Sequence, residues 1–345
     1  MSYFEHPEFD NHEHVAMHYD HATGLKAIIA IHNTVRGPAL GGCRMLSYAN
    51  TEDALTDALR LSRGMTYKSA IANLPLGGGK MVIIGDPKTM KTTELLRAAG
   101  RFIDSFRGTY ISAEDMGMTS DDCKIIGKVT PHIGGVFPNE HGGDPSPLTA
   151  YGVEEAMRAA MKVHSGYASL KGVRCGIEGV GNVGLALLRR LHNSGALLFA
   201  SDIDNEKMLR IKKEIPLIAM TPQELREWPL DIYAPCARGG IINDDTISKF
   251  QTPIICGSAN NILARPDHAD ILVARGIICV PDYVANCGGL IDIYYQRAGY
   301  DTRKVMQHIR KIAYSATLRI LRTAKRTGRS PQSVADEIAE SRFTC

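Results

Sequence analysis

Val173-Arg174-Cys175-Gly176-Ile177-Glu178-Gly179-Val180-Gly181-Asn182-Val183-Gly184 is a short apolar run that breaks into a Gly-x-Gly-x-x-Gly turn. The residues before the turn read as a strand and those after it as a helix to about Ser194. A second strand, Leu197 to Ala200, then leads to Asp202, 18 residues beyond Gly184. A lone glycine triplet says little. Between a strand and a helix, with an acid at that distance, it predicts a dinucleotide site. Gly179, Gly181 and Gly184 permit a tight turn, close approach of a pyrophosphate and helix–strand packing, and Val180, Asn182 and Val183 complete the phosphate loop at the helix N-terminus. Asp202 would bind the adenosine ribose hydroxyls and repel a 2′-phosphate, so the expected cofactor is NAD rather than NADP. The competing reading is a glycine-rich turn without a ligand.

Strand and helix signals continue to alternate after this turn. Thr221-Pro222 opens a helix, 231–236 and 253–257 read as strands, and Val280 to Gly289 repeats the design. The strands end in small polar residues: Cys236 and Ala237 before Gly239-Gly240, then Ser258-Ala259-Asn260-Asn261, then Asn286. In a parallel sheet such ends share one crevice, so these loops should edge the nicotinamide. From Leu290 to Arg342 the chain reads mostly as helix.

The half before the turn carries a different signal. Residues 25–32 read as a strand, and Gly37-Pro38-Ala39-Leu40-Gly41-Gly42 as loop. Thr51, Glu52 and Asp53 open a helix that runs toward Gly64-Met65-Thr66-Tyr67-Lys68. Leu76-Gly77-Gly78-Gly79-Lys80 then enters the apolar Met81-Val82-Ile83-Ile84. A lysine at the mouth of a buried strand is partly desolvated, which favours the neutral amine that serves as a base. If Lys68 and Lys80 converge, an anion between them is held strongly, as a substrate carboxylate would be; the alternative is a tight turn and two unrelated surface lysines. A strand at Tyr110-Ile111-Ser112 ends in Ala113-Glu114-Asp115. Asp115 stands where α/β proteins place catalytic groups, unless it caps the helix near Ser120.

Composition bounds the remaining classes. The 345 residues suffice for two domains, and His141-Gly142-Gly143-Asp144 is the candidate boundary. The net charge of +3 comes from mixed signs with no long basic run, which argues against a nucleic-acid partner. No apolar run approaches the roughly 18 residues of a membrane span and the first residues do not read as a signal peptide, so a cytoplasmic location is expected. The eight cysteines are scattered and read mostly as small buried hydrophobes. The twelve histidines form no helical metal pair, His12 and His14 read as surface residues, and no metal site is expected.

Taken together these stretches resemble the amino acid dehydrogenase superfamily of glutamate, leucine, phenylalanine and valine enzymes, and among them the leucine enzymes most. The resemblance rests, in order, on 37–42, 64–68, 76–80, 113–115, 179–184, Ala234-Pro235-Cys236-Ala237, 258–261 and Pro281-Asp282-Tyr283, and it spans essentially the whole chain. It implies an α/β protein of two domains with a cleft between them. One is a substrate-binding domain with a mixed sheet over 1–140, which also carries oligomerisation; the other is a doubly wound Rossmann domain over 141–320, with helices from about 320 to 345 packing back on the first. It also implies NAD-dependent oxidative deamination of an L-amino acid to a 2-oxo acid and ammonia, in a homo-oligomer. Lys68 would hold the α-carboxylate, Lys80 would act as general base, and Asp115 would pass protons. Ser146, Thr149 and Asn261 correspond to residues near nicotinamide and substrate.

Where glutamate enzymes carry a lysine this chain has Leu40. With Gly41, Gly42, Met65, Ala113, Leu290 and Ile293 it would line an apolar pocket for leucine, isoleucine or valine. Small groups at 41 and 42 could instead admit the aromatic ring of phenylalanine or tryptophan. The rival class is a non-catalytic dinucleotide-binding regulatory protein on the same fold. Two departures stand out: Cys43 where threonine is common, and Arg238 where the leucine enzymes have an apolar residue; Arg238 would either touch phosphate or, as the favoured reading, simply face water.

Overall fold

The computed structural model describes residues 3–135, 144–299 and 301–344. It divides into two units: Met1–Asp144 with Ile293–Tyr300 and Ala339–Cys345, and Pro145–Asp292 with Asp301–Ile338. Residues 141–143 of the candidate boundary lie outside the described residues.

In the first unit β1 (His14–Asp20) and β2 (Leu25–Asn33) form an antiparallel pair. β3 (Ala39–Leu46), helix α1 (Thr51–Ile71), β4 (Gly77–Ile84), α2 (Thr93–Asp104), β5 (Tyr110–Glu114) and α3 (Ser120–Gly127) follow. The sheet order is β1-β2-β4-β3-β5, with β3, β4 and β5 mutually parallel and β2 antiparallel to β4, which makes it mixed. Two stretches differ from the sequence reading. Residues 39–42 were expected as loop but begin β3, and Gly77-Gly78-Gly79 belong to β4 rather than to a turn before it. The cause is crowding in the centre of the sheet: a Cβ on Gly41 would overlap the Gly79 carbonyl of the neighbouring strand. Glycine is normally poor in strands, but here it admits a close backbone approach.

Strand alternation sends Met81, Ile83, Cys43 and Met45 into a core with Leu95, Leu96, Ala99 and Ile103 of α2. Val82, Ile28 and Ala30 pack on the opposite face under Ala54, Leu55, Ala58 and Leu59 of α1. Each large aliphatic side chain so buried contributes roughly 1.5–3 kcal/mol. The cap of α1 is Asn50, whose side chain accepts from Asp53 N, one residue earlier than the expected Thr51. His12, expected at the surface, is 6% exposed, with Nε2 3.1 Å from both the Leu59 carbonyl and Ser62 Oγ. The irregular segment before β1 crosses α1 there, and its aperiodic sequence carried no burial signal.

The second unit starts with α4 (Ser146–Ser165), β6 (Arg174–Glu178), α5 (Asn182–Asn193), β7 (Leu197–Ser201) and α6 (Asn205–Glu214). It continues through β8 (Ile218–Ala219), α7 (Pro222–Glu227), β9 (Ile232–Pro235), β10 (Ile254–Ile255), α8 (His268–Ala274), β11 (Ile278–Cys279) and α9 (Asp282–Ala285). Its sheet is wholly parallel in the order β11-β10-β9-β6-β7-β8, the doubly wound arrangement, with the reversal between β6 and β9. α10 (Gly288–Ala298), α11 (Thr302–Arg310), α12 (Thr317–Thr327) and α13 (Pro331–Glu340) complete the chain.

The C-terminal helices depart from expectation. From Asp301 to Ile338 they belong to the second unit, where Leu321 of α12 sits in the core with Met157 and Met161 of α4. The residues from Ala339 belong to the first unit. There Tyr67 OH donates to Glu340 at 2.6 Å, and the Arg342 guanidinium donates to the Ala70 and Ile71 carbonyls. Among the described residues no helix is long and apolar enough to cross a membrane.

Candidate active site

Lys80 stands in β4 on the face that α1 covers, and is 5% exposed. A buried ammonium needs a compensating charge. Lys80 Nζ lies 2.5 Å from Asp115 Oδ2, at the end of β5. The same carboxylate oxygen accepts from Arg44 Nε at 2.9 Å. Arg44 projects from β3, and its Nη1 donates to both oxygens of Asp57 on α1, at 3.3 and 3.0 Å. Tyr48 OH closes the chain by donating to Asp57 Oδ2 at 2.6 Å. Burial alone would raise the Asp115 carboxyl, but Lys80 and Arg44 outweigh it and hold Asp115 far below the usual carboxylate range. Asp115 is therefore an ionised carboxylate in direct contact with the Lys80 side-chain nitrogen.

Gly42 makes room for this arrangement, since a Cβ there would press on the Asp115 side chain. The helix-capping role open to Asp115 is filled by others: Thr119 caps α3 in a reciprocal box with Asp122. Arg44, Asp57 and Tyr48 are the members that sequence reasoning missed. The available signal was the spacing of Arg44 two residues beyond Gly42, hence on the same strand face; it was lost because 39–42 read as loop.

Lys68 lies on α1, half-buried, two residues after Thr66, whose backbone rests against Gly78 of β4. The helix turn that carries Lys68 is thus seated on the strand that carries Lys80. Met65 is half-buried on that turn, while Leu40 and Ala113 are each 1% exposed. Leu290 and Ile293 lie one turn apart on α10, both buried. Gly41 and Gly42 offer no spare volume, because the Gly79 carbonyl and the Asp115 side chain fill the space beside them.

In the second unit Gly179 has φ +97° and ends β6 in a turn that an L side chain adopts only with strain. Gly181 caps α5 without a side-chain hydrogen bond, and the space beside it is open. Asn182, Val183 and Gly184 form the first turn, so uncapped amides meet open space, the arrangement that receives phosphate. Asp202 follows β7: Oδ2 accepts from Val180 N at 2.7 Å and from Lys207 Nζ at 3.1 Å, and Oδ1 accepts from Asp204 N at 3.0 Å. Burial would raise its carboxyl, but the amides of Asp204 and Val180 and the Lys207 ammonium hold it below the usual range. Lys207 was not anticipated from the sequence.

Cys236 and Ala237 follow β9, the strand on the other side of the sheet's reversal, and Ala237 touches Gly179. Asn261 has φ +52°, and its carbonyl accepts from Gly240 N. Asn286 is 3% exposed; its Nδ2 donates to the Ser258 carbonyl and to Asn260 Oδ1, while its Oδ1 has no partner among the described residues. Thr149 Oγ1 donates to the Pro145 carbonyl at the start of α4, and Ser146 is buried beside it. The open amides of α5, the paired Asp202 and the orphaned Asn286 carbonyl suit a dinucleotide, which would bring one amide donor for that last group.

Two family descriptions account for nearly all of the chain: "Glu/Leu/Phe/Val dehydrogenase, dimerisation domain" matches residues 9–132, and "Glutamate/Leucine/Phenylalanine/Valine dehydrogenase" matches residues 144–342. The chain belongs to the Glu/Leu/Phe/Val dehydrogenase family. Like that family it is a dinucleotide-dependent oxidoreductase with a small-molecule substrate. It is 46% identical over 345 residues to the leucine dehydrogenase of Geobacillus stearothermophilus, covering 99% of this chain and 94% of the relative. The valine dehydrogenase of Streptomyces virginiae is 42% identical over 343 residues, covering 98% and 96%. The crystal structure of L-tryptophan dehydrogenase from Nostoc punctiforme superposes with a TM-score of 0.80 at 42% identity and covers 96% of each chain.

Proposed function

We infer that this dehydrogenase catalyses the reversible, NAD-dependent oxidative deamination of a branched aliphatic L-amino acid, with leucine, isoleucine and valine as the preferred class. The observation that carries the reading is the 2.5 Å contact between Lys80 and Asp115 on a buried sheet face. It unites an amine base and an ionised proton acceptor, and hydrolysis of an iminium needs both. The chain's likeness to leucine and valine dehydrogenases supports the substrate class.

In this reading Lys68 pairs with the α-carboxylate. A dinucleotide held by the 179–184 turn and Asp202 would supply the hydride acceptor that converts the substrate amine to an iminium. Lys80 takes a proton from water as its oxygen attacks the iminium carbon. Asp115 relays that proton from Lys80 to the amine nitrogen of the carbinolamine, which then expels ammonia as Lys80 takes the hydroxyl proton, leaving the 2-oxo acid. Arg44, fixed by Asp57 and Tyr48, positions the Asp115 carboxylate toward Lys80. Leu40 and Ala113 present apolar surface that cannot pair a side-chain carboxylate. The aromatic alternative rests on the L-tryptophan dehydrogenase likeness. It draws no support from Gly41 and Gly42, whose flanks are filled. One methylene changes binding by only ~1–3 kcal/mol, so several aliphatic substrates should turn over.

NAD is preferred because the ionised Asp202 would meet a 2′-phosphate with like charge. NADH formation with a panel of L-amino acids at alkaline pH should show highest kcat/KM for leucine, isoleucine or valine, and a strong preference for NAD. Asp202→Ser should narrow that preference by about tenfold or more, since it removes the repulsion and frees Lys207 to meet a phosphate. Preference for an aromatic substrate would move the assignment to the second reading, no turnover of any amino acid would overturn both, and NADP preference in the wild type would overturn the role of Asp202. The first family match describes a dimerisation domain, which supports a homo-oligomer.

A further inference from the structure

We propose that Arg238 binds the diphosphate bridge of the dinucleotide, as a cationic wall of the phosphate site. The proposal rests on the dinucleotide reading above and adds to it a residue that the glycine fingerprint does not contain.

The sheet of the second unit reverses between β6 and β9, and ligands of doubly wound sheets bind outside the strand ends at that reversal. The loop after β6 is the 179–184 turn, and the loop after β9 is 236–240. The two lie in contact: Cys236 N donates to the Glu178 carbonyl at 2.7 Å, and a Cβ on Gly179 would strike the Ala237 backbone and side chain. The far end of the second loop is equally fixed. Gly240 N donates to the Asn261 carbonyl at 2.8 Å, Asn243 Nδ2 donates to the Gly240 carbonyl at 2.8 Å, and Gly239 abuts the carbonyls of Asn260 and Asn261.

Arg238 is therefore the middle residue of a loop clamped at both ends, one position from the residue that touches Gly179. Its side chain is exposed and has no hydrogen-bond or ion-pair partner among the described residues. Most other arginines near this sheet are engaged: Arg226 with Glu178, Arg174 with Asp231, Arg190 with Glu154. A free guanidinium on the loop that touches Gly179 would add a forked donor to a site where the α5 amides alone would meet phosphate oxygens. Asp202, the acid of the same unit, is already paired to Lys207 and does not compete for it.

The test compares the wild type with Arg238→Leu and Arg238→Lys by NADH fluorescence titration, and by calorimetry with ADP and with adenosine. In Arg238→Leu the Kd for NADH and for ADP should rise roughly tenfold, the loss of one charge-assisted contact at a solvated site, while the Kd for adenosine stays within about twofold. Arg238→Lys should recover part of the loss, because it restores the charge without the fork. The wild type's NADH affinity should also fall more steeply with added salt than that of Arg238→Leu. An unchanged NADH Kd in Arg238→Leu, or an equal loss for adenosine, overturns the phosphate role while leaving the dinucleotide reading intact. Failure of the wild type itself to bind NADH overturns that reading and the proposal together.

Discussion

Lys80→Ala should lower kcat for amino acid oxidation by about 10³- to 10⁴-fold, the range expected when a general base is removed from a site whose binding groups remain. Dinucleotide affinity should stay within about twofold, because the groups that would hold the cofactor belong to the second unit and Lys80 to the first. The substitution should also leave the protein folded. Asp115 keeps its hydrogen bond from Arg44 at 2.9 Å, so its carboxylate is not stranded without a cation. The cost should fall below the roughly 3–5 kcal/mol of a buried pair broken outright, at about 1–2 kcal/mol. Steady-state kinetics, NADH titration and urea unfolding on one preparation separate these effects. Residual activity within tenfold of wild type would remove Lys80 from the role of base, and a parallel loss of NADH binding would mean that the change is not local.

How much of this site the sequence disclosed depended on whether a residue's role was local. The dinucleotide fingerprint is local: a strand, a turn that needs positive φ at Gly179, and a helix without a cap lie within a dozen residues, and Asp202 stands at the end of the next strand. Lys80 was legible because a lysine inside an apolar run is costly, and Asp115 because it ends a strand. Arg44 was not legible. Its purpose exists only when β3 lies between β4 and β5, so that one guanidinium reaches Asp115 on one side and Asp57 of α1 on the other.

The glycine-rich stretches misled for a related reason. Judged by propensity, 39–42 and 77–79 are breakers. In the structure they are central strands whose missing side chains are replaced by a neighbour's backbone at Gly41 and by Asp115 at Gly42. Propensity describes an isolated segment, and here tertiary crowding overrides it. The return of the chain end to the first unit was expected in kind but not in extent. The apolar stripe of α12 is compatible with either unit, and only the packing of Leu321 against α4 assigns it to the second.

Asp115→Asn should reduce kcat by roughly 10²- to 10⁴-fold and, unlike Lys80→Ala, should also cost stability. The amide has the shape of the acid but no charge, so two cations that shared one carboxylate oxygen lose it together. Arg44 retains its pairing with Asp57, whereas Lys80 loses its pairing with Asp115. One fifth of the Asp115 side chain is exposed, which softens the loss, so unfolding free energy should fall by about 2–3 kcal/mol rather than the full figure for a buried pair. Its pH dependence identifies the cause. A carboxyl depressed in the folded state contributes stability above its unfolded pKa of about 4 and loses it as pH falls toward the folded value. The gap between wild type and Asp115→Asn should therefore be flat from pH 5 to 8 and narrow below about pH 4. Arg44→Leu supplies the cross-check: combined with Asp115→Asn it should cost less than the sum of the two single changes, because each removes the same contact. A gap that persists unchanged into acid, or additive losses in the double variant, would make Asp115 a packing residue and detach it from the proton relay.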